Sequence, residues 1–178
     1  TPAAYLDSLG LFEHGGGGYH CIWFTDEEIE LFRRKGLTAV TNPGSNTKLA
    51  SGIANTTAFL KHGVNMAIGT DGPASNNCLD MFREMFLVTG LGKLHDRDAS
   101  AVPAEEVLKM AVTGGAKAMG LTDCDCLAEG KKAAKDGMIT EKPFYIYSDN
   151  THKHFSSGMN AVYERFSCGS SRLVNNND

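Results

Sequence analysis

The sequence predicts an α/β protein: consecutive βα units laid on a parallel sheet. Three observations carry this. Residues 19–92 alternate strand, helix, strand, helix, strand, helix with connections of only a few residues, the pattern of βα units on a parallel sheet. Thr25 and Glu28 form a capping box ahead of a helix whose acids come first and whose bases, Arg33, Arg34 and Lys35, come last. Finally, the apolar run Val64–Ile68 ends in Gly69-Thr70 and presents one carboxylate, Asp71, before the tight turn Gly72-Pro73. Run, carboxylate, turn and helix in that order place an acid at the carboxyl end of a parallel strand, where α/β folds bind ligands.

Taken in order, residues 2–12 read as a short helix ending near Gly10, and Gly15–Gly18 as a flexible connector. Tyr19–Phe24 is rich in aromatic and apolar residues and is expected to be a strand. The helix Asp26–Lys35 follows, and Gly36 is its expected left-handed stop. Leu37–Thr41 is a second strand, ended by the loop Asn42-Pro43-Gly44-Ser45-Asn46. A helix over 53–62 is stopped by Gly63, and Val64–Thr70 is the third strand. A longer helix is expected over 79–91, with Met81, Phe82, Met85 and Phe86 as its buried face. Pro103 opens a further helix over 104–112. Three such units do not close a domain, and either a doubly wound sheet or an eight-fold barrel needs more strands than these. The helical pattern already under way at Thr1 leads us to expect a start inside a larger protein. Beyond Lys132 no periodicity persists, so residues 134–178 are expected to form a weakly ordered tail apart from two strand-like patches, 144–147 and 161–163.

Composition narrows the function classes. The chain has 178 residues, 42% hydrophobic and 21% charged, enough for a real core. A net charge of −4 argues against nucleic acid or an anionic membrane surface as a partner. No apolar run approaches the roughly 18 residues of a membrane span, and Thr1–Leu6 does not read as a signal peptide, so the expected location is cytoplasmic. Five cysteines in no framework spacing fit that compartment, with Cys21 and Cys78 expected as small core residues.

Each strand carries a polar feature at or near its end: His20, the Asn42–Asn46 loop, and Asp71. In a barrel these would converge on one mouth. A histidine and an aspartate there suit hydrolysis by a metal-activated water, the carboxylate binding the cation and the imidazole polarising the water. Without its cation, Asp71 is expected to be an uncompensated charge.

Two further motifs make a specific pair. They are Asn42-Pro43-x-Ser45-Asn46-x-Lys48-Leu49-Ala50-Ser51-Gly52 and Gly69-Thr70-Asp71-Gly72-Pro73-Ala74-Ser75-Asn76-Asn77-x-Leu79-Asp80. With Tyr19-His20-Cys21 before them, and Gly114–Leu121 and Leu127–Ala133 after, the chain over about residues 2–133 resembles the amidohydrolase superfamily. The nearest branch is that of the 5-methylthioadenosine/S-adenosylhomocysteine deaminases.

That resemblance implies the C-terminal three βα units of a partial TIM (β/α)₈ barrel over residues 1–133, followed by the unmatched tail. It further implies His20 as the histidine that orients the hydrolytic water. Asp71 would be the aspartate that both ligates one divalent metal, a zinc-class ion, and shuttles the proton. Ser75 falls at a position used to contact substrate, a small-molecule adenine-type nucleoside. A related aminohydrolase or chlorohydrolase acting on another purine, a pyrimidine or a triazine is the alternative chemistry. An inactive truncated chain is the alternative of a different kind, and a homo-oligomer is open for the complete protein. Two departures from the family pattern stand out: Thr41 where much of the family has histidine, and the absence of its first-strand His-x-His pair and fifth-strand histidine. His152-x-His154 has the spacing of such a pair but follows no apolar strand.

Overall fold

The computed structural model describes residues 1–121, 123, 125, 131, 133–135 and 138–140. Its centre is a three-stranded parallel sheet in sequential order, β1 (Gly17–Tyr19), β2 (Thr38–Thr41) and β3 (Asn65–Ile68). The register sets Tyr19 beside Val40 and Val40 beside Ala67. Residue 20 and residues 69–71 therefore leave the sheet at the same end, the carboxyl end of the strands.

Helix α1 (Pro2–Ser8) precedes the sheet, and α2 (Asp26–Lys35) crosses from β1 to β2. The capping box of α2 is complete, with the Thr25 side chain accepting from Glu28 N–H and Gly36 left-handed at its end, as the sequence indicates. Glu28 Oε1 also accepts the Ala3 N–H at 3.0 Å, so the same carboxylate fastens α1 to α2. Between β2 and β3 lie two short helices, α3 (Pro43–Lys48) and α4 (Thr56–Lys61), the second capped by Asn55. Beyond β3 come α5 (Pro73–Asn76), α6 (Met81–Asp96), α7 (Ala104–Lys109), a π-helical turn over Met110–Gly114, and α8 (Gly115–Ala118). Beneath the sheet, Phe24 stacks edge-on against Phe32 (ring centroids 4.9 Å apart) and lies 5.3 Å from Phe59. Ile29, Met66 and Ile68 belong to the same core.

Several expectations need correction. The first strand is Gly17–Tyr19, not Tyr19–Phe24. His20 and Cys21 both have positive φ, 66° and 48°, so the chain turns out of the sheet where the aromatic run begins. Of the glycines expected to form a connector, Gly15 and Gly16 stay outside the sheet with positive φ, whereas Gly17 and Gly18 are in the strand, where a Cβ on Gly17 would lie 2.1 Å from the Thr38 carbonyl oxygen. The aromatic run serves packing instead of pairing: Phe24 enters the core while Trp23 is 82% exposed. The Asn42–Asn46 loop is largely helix, since Pro43 sits at N1 of α3. On α6 the buried face is Met81, Glu84, Val88 and Gly92. Phe82 and Phe86 point outward, 70% and 76% exposed. Gly92 selects that face, as a Cβ there would lie 2.5 Å from Val102. Cys21 is a free, buried thiol pushed up to about 12 by burial, but Cys78 is half-buried and disulfide-bonded, not a free core thiol.

The expected boundary at residue 133 falls at the start of an antiparallel pair, β4 (Ala133–Lys135) with β5 (Met138–Thr140). The patches at 144–147 and 161–163, and His152 and His154, lie outside the described residues. Among the described residues no helix is long and apolar enough to cross a membrane.

The close approach at Gly17 sets a stability test. Gly17→Ala forces a methyl against the β2 backbone and should cost on the order of 2 kcal/mol. Gly90→Ala, in the interior of α6 with nothing within 4 Å of its added Cβ, should gain about 0.5–1 kcal/mol from helix propensity. Urea unfolding of the two variants measures both signs.

Candidate active site

The site is built where β1, β2 and β3 end. Asp71 follows β3 by three residues and has φ +58°, a left-handed conformation that aspartate tolerates better than most residues. The turn places its carboxylate against the first turn of α3. Ser45 Oγ donates to Asp71 Oδ2 at 2.6 Å, and Gly72 N–H donates to Asp71 Oδ1 at 2.7 Å. These bonds correct the expectation of an uncompensated charge. The Ser45 hydroxyl is the largest influence holding the Asp71 carboxyl below its ordinary value of 3.8, against a desolvation that pushes it up, with Gly72, Ser75 and His20 adding to the lowering.

His20 stands opposite. Its Nε2 is 3.7 Å from Asp71 Oδ2, too far for a direct hydrogen bond and near enough for both groups to serve one small polar molecule. Its Nδ1 lies 2.7 Å from Asn46 Oδ1. An amide oxygen only accepts, so Nδ1 carries a proton in this contact, and in the uncharged form of the ring the lone pair lies on Nε2, toward Asp71. The His20 backbone N–H donates to Asn42 Oδ1 at 3.3 Å, which helps hold the positive-φ turn. Asn42 reaches this position because Gly69 has no side chain: a Cβ there would lie 2.6 Å from Asn42 Nδ2. The first and last residues of the Asn42–Asn46 segment thus hold His20, and its Ser45 holds Asp71.

Ser75, the expected substrate contact, lies one turn beyond Asp71, and its hydroxyl donates to the Gly72 carbonyl at 3.0 Å. Lys48 Nζ donates to the Ala74 carbonyl at 2.6 Å and ties α3 to α5 across the mouth. His20, Asp71 and Ser75 are therefore gathered at one end of the sheet. Asn42, Ser45 and Asn46 join the site as partners that their sequence positions do not reveal, with a buried Glu84 behind them. A signal for Glu84 existed: it lies three residues after Met81 and four before Val88, on the face those two bury.

Asp71 has the chemistry of a metal ligand and His20 Nε2 is a free imidazole nitrogen beside it. Among the described residues, however, no three His, Cys, Asp or Glu side chains converge to hold an ion. Among the described residues the donor set for a cation is therefore incomplete.

A parallel α/β sheet whose successive strand ends bring a histidine and an aspartate together defines the class: an α/β protein with its polar site on the carboxyl side of the sheet. Residues 1–135 match the amidohydrolase family, and the chain belongs to that family. It is 48% identical over 119 residues to the 5-methylthioadenosine/S-adenosylhomocysteine deaminase of Caldanaerobacter subterraneus subsp. tengcongensis, covering 67% of this chain and 28% of that protein. Among solved structures it resembles a zinc-bound adenosine deaminase from Xanthomonas campestris. The TM-score is 0.65 at 43% identity, over 68% of this chain and 28% of that one. It also resembles the guanine deaminase from C. acetobutylicum with bound guanine, with a TM-score of 0.65 at 25% identity over 72% and 31% of the two chains. The chain thus spans less than a third of the length of these relatives.

The Ser45–Asp71 bond gives a titration test. A carboxyl lowered in the folded state adds stability that is present above its ordinary value of 3.8 and is lost as pH falls through the folded value. Ser45→Ala removes the largest lowering influence, so the Asp71 titration should move up toward 3.8, and the stability that Asp71 contributes above 3.8 and loses in acid should shrink, leaving a smaller acid-dependent loss than in the parent chain. Carbon NMR of the Asp71 carboxyl checks the first, and acid unfolding the second.

Proposed function

We propose that this chain is the C-terminal part of an amidohydrolase (β/α)₈ barrel that hydrolytically deaminates an adenine-type nucleoside. The observation that carries this reading is the facing pair: His20 Nε2, its lone pair fixed by Asn46, lies 3.7 Å from an Asp71 carboxylate held ionised by Ser45. The sequential strand order, with a helical connection after each strand, supports an arc of a barrel over a doubly wound sheet, whose order reverses. Identities of 43–48% to proteins named as adenosine-type deaminases, against 25% to a guanine deaminase, favour the adenine-type substrate.

In this reading the attacking water donates one hydrogen bond to His20 Nε2, which orients it. Asp71 takes the proton from the water as its oxygen bonds to the purine C6. That attack shifts the C6–N1 π pair onto N1, and the carboxyl then returns its proton to the amino nitrogen. The pair on N1 re-forms the double bond as the bond from C6 to the amino nitrogen breaks and ammonia leaves, and the remaining hydroxyl proton passes to N1, leaving a C6 carbonyl. Ser75 contacts the substrate at the edge of the mouth. Asp71 would also be one ligand of a zinc-class ion, which when bound lowers the pKa of the attacking water toward neutrality. The ion's other ligands would come from outside the described residues.

The test joins this chain to the part of the Xanthomonas campestris protein that it does not cover, giving a completed barrel. There Asp71→Asn should lower deamination by about 10³-fold or more, and His20→Gln by about 10²-fold. In the 178-residue chain, Asp71→Asn replaces a charged acceptor by an amide and should cost about 1 kcal/mol in urea unfolding. Retained deamination in the completed Asp71→Asn protein would end the assignment of this residue to proton transfer.

A further inference from the structure

Glu84 is fully buried on α6, and no step above uses it. A buried carboxylate is costly unless its oxygens are hydrogen-bonded, and this one is bonded on both. Glu84 Oε2 accepts the Gly44 N–H at 2.7 Å, and Oε1 accepts Asn76 Nδ2 at 2.8 Å. Asn76 Nδ2 also donates to the Thr70 carbonyl at 2.7 Å, and Arg83 donates to Asn76 Oδ1 at 3.3 Å. Gly44 and Thr70 are the residues immediately before Ser45 and Asp71, the two partners of the 2.6 Å bond at the site. One carboxylate therefore grips both backbones a single residue upstream of the groups that must meet. The fit is close: a Cβ on Gly44 would lie 2.4 Å from Glu84 Oε1 and 2.9 Å from the Asn76 amide.

We propose that Glu84 is the positioning residue of the site: by holding Gly44 directly and Thr70 through Asn76, it sets the Ser45–Asp71 contact and so the aim of the Asp71 carboxylate. The inference rests on the proposed role of Asp71 and adds the part that keeps it in place. Two acceptors are needed because both neighbours donate. A glutamine at 84 offers one acceptor and turns an N–H₂ toward the other donor, so Glu84→Gln keeps the volume and breaks one arm of the grip.

The experiment is a double-mutant cycle in the completed barrel, reading both kcat per zinc-loaded site and the zinc dissociation constant. Glu84→Gln alone should lower kcat and weaken zinc binding, each about tenfold, with KM within about threefold of wild type. In a Ser45→Ala background, where the contact is already gone, the same change should alter either quantity by less than about threefold. A merely structural Glu84 would instead cost the same factor in both backgrounds. Val88→Ala, buried further along the same helix face, is the control, lowering Tm with kcat per loaded site unchanged. If Glu84→Gln does not fold, Asn76→Ala, which cuts the other arm, enters the same cycle with the same expectation. Equal losses in the two backgrounds, or no loss in either, overturn the proposal. Asp71→Asn, run beside them, separates the two failures. An active Asp71→Asn protein removes the reading of the site, whereas an inactive one with equal Glu84 losses removes only the positioning role.

Discussion

The hydrogen bond from Ser45 to the Asp71 carboxylate joins two strand ends that the chain would otherwise finish as separate turns. Ser45 belongs to the helix that leaves β2, and Asp71 to the left-handed turn that leaves β3. Their meeting requires close backbone approaches that side chains would block. Gly69 lets Asn42 lie across the end of β3, and Gly44 lets the first turn of α3 sit against Glu84 and Asn76. The Pro43 ring at N1 begins that helix at once, which turns the Ser45 and Asn46 side chains back over the sheet end. Remove the contact and the imidazole loses its counterpart as well, since His20 is aimed by the same segment through Asn42 and Asn46.

Behind the contact lies a layer of buried polar side chains: Asn42, Ser45, Asn46, Thr70, Asn76 and Glu84 are each no more than 2% exposed. An unpaired polar group at such depth costs about 1–3 kcal/mol, so a layer of six would be ruinous if left unsatisfied. Among the described residues, none of these side chains contributes an orphaned buried nitrogen or oxygen. A satisfied network of this kind is stiff, because moving any member strands its neighbours. That stiffness is what lets His20, Cys21 and Asp71 persist at positive φ, where a residue with a Cβ is strained.

The sequence was most legible where one residue acts on its own chain neighbours. Thr25 with Glu28, Gly36 after α2 and the Asp71 turn are local chemistry, and each stands where the pattern put it. It was least legible where a choice is made across space. The aromatic run 19–24 has strand propensity, yet its residues are spent on packing Phe24 against Phe32 and Phe59. Just before it, Gly17 stands in the strand where β2 comes too close for anything larger. On α6, Phe82 and Phe86 are more apolar than Glu84, yet Glu84 is the buried one. Its partners Gly44 and Asn76 arrive from 40 residues upstream and 8 upstream, which no helical period reveals. Asn42 and Asn46 were legible as residues of the mouth but not as the holders of one imidazole.

The site is also one-sided. Asn42, Ser45 and Asn46, which hold His20 and Asp71, are buried, while the Asp71 and His20 side chains themselves stay 33% and 42% exposed. This asymmetry separates two jobs that a complete hydrolase site combines. Aiming needs neighbours fixed at the same strand ends, and Asn42, Ser45 and Asn46 are hydrogen-bonded there to His20 and Asp71. Holding a cation needs three or more donors converging from different directions, and the described residues bring no such group together. Because the Asp71 charge is already satisfied by Ser45 and Gly72, the arrangement does not depend on a cation to keep its shape. On the proposed reading the carboxylate is therefore preorganised before any ion arrives. Its orientation costs little at the moment of reaction, which is the condition under which a positioned acid–base pair contributes most to rate.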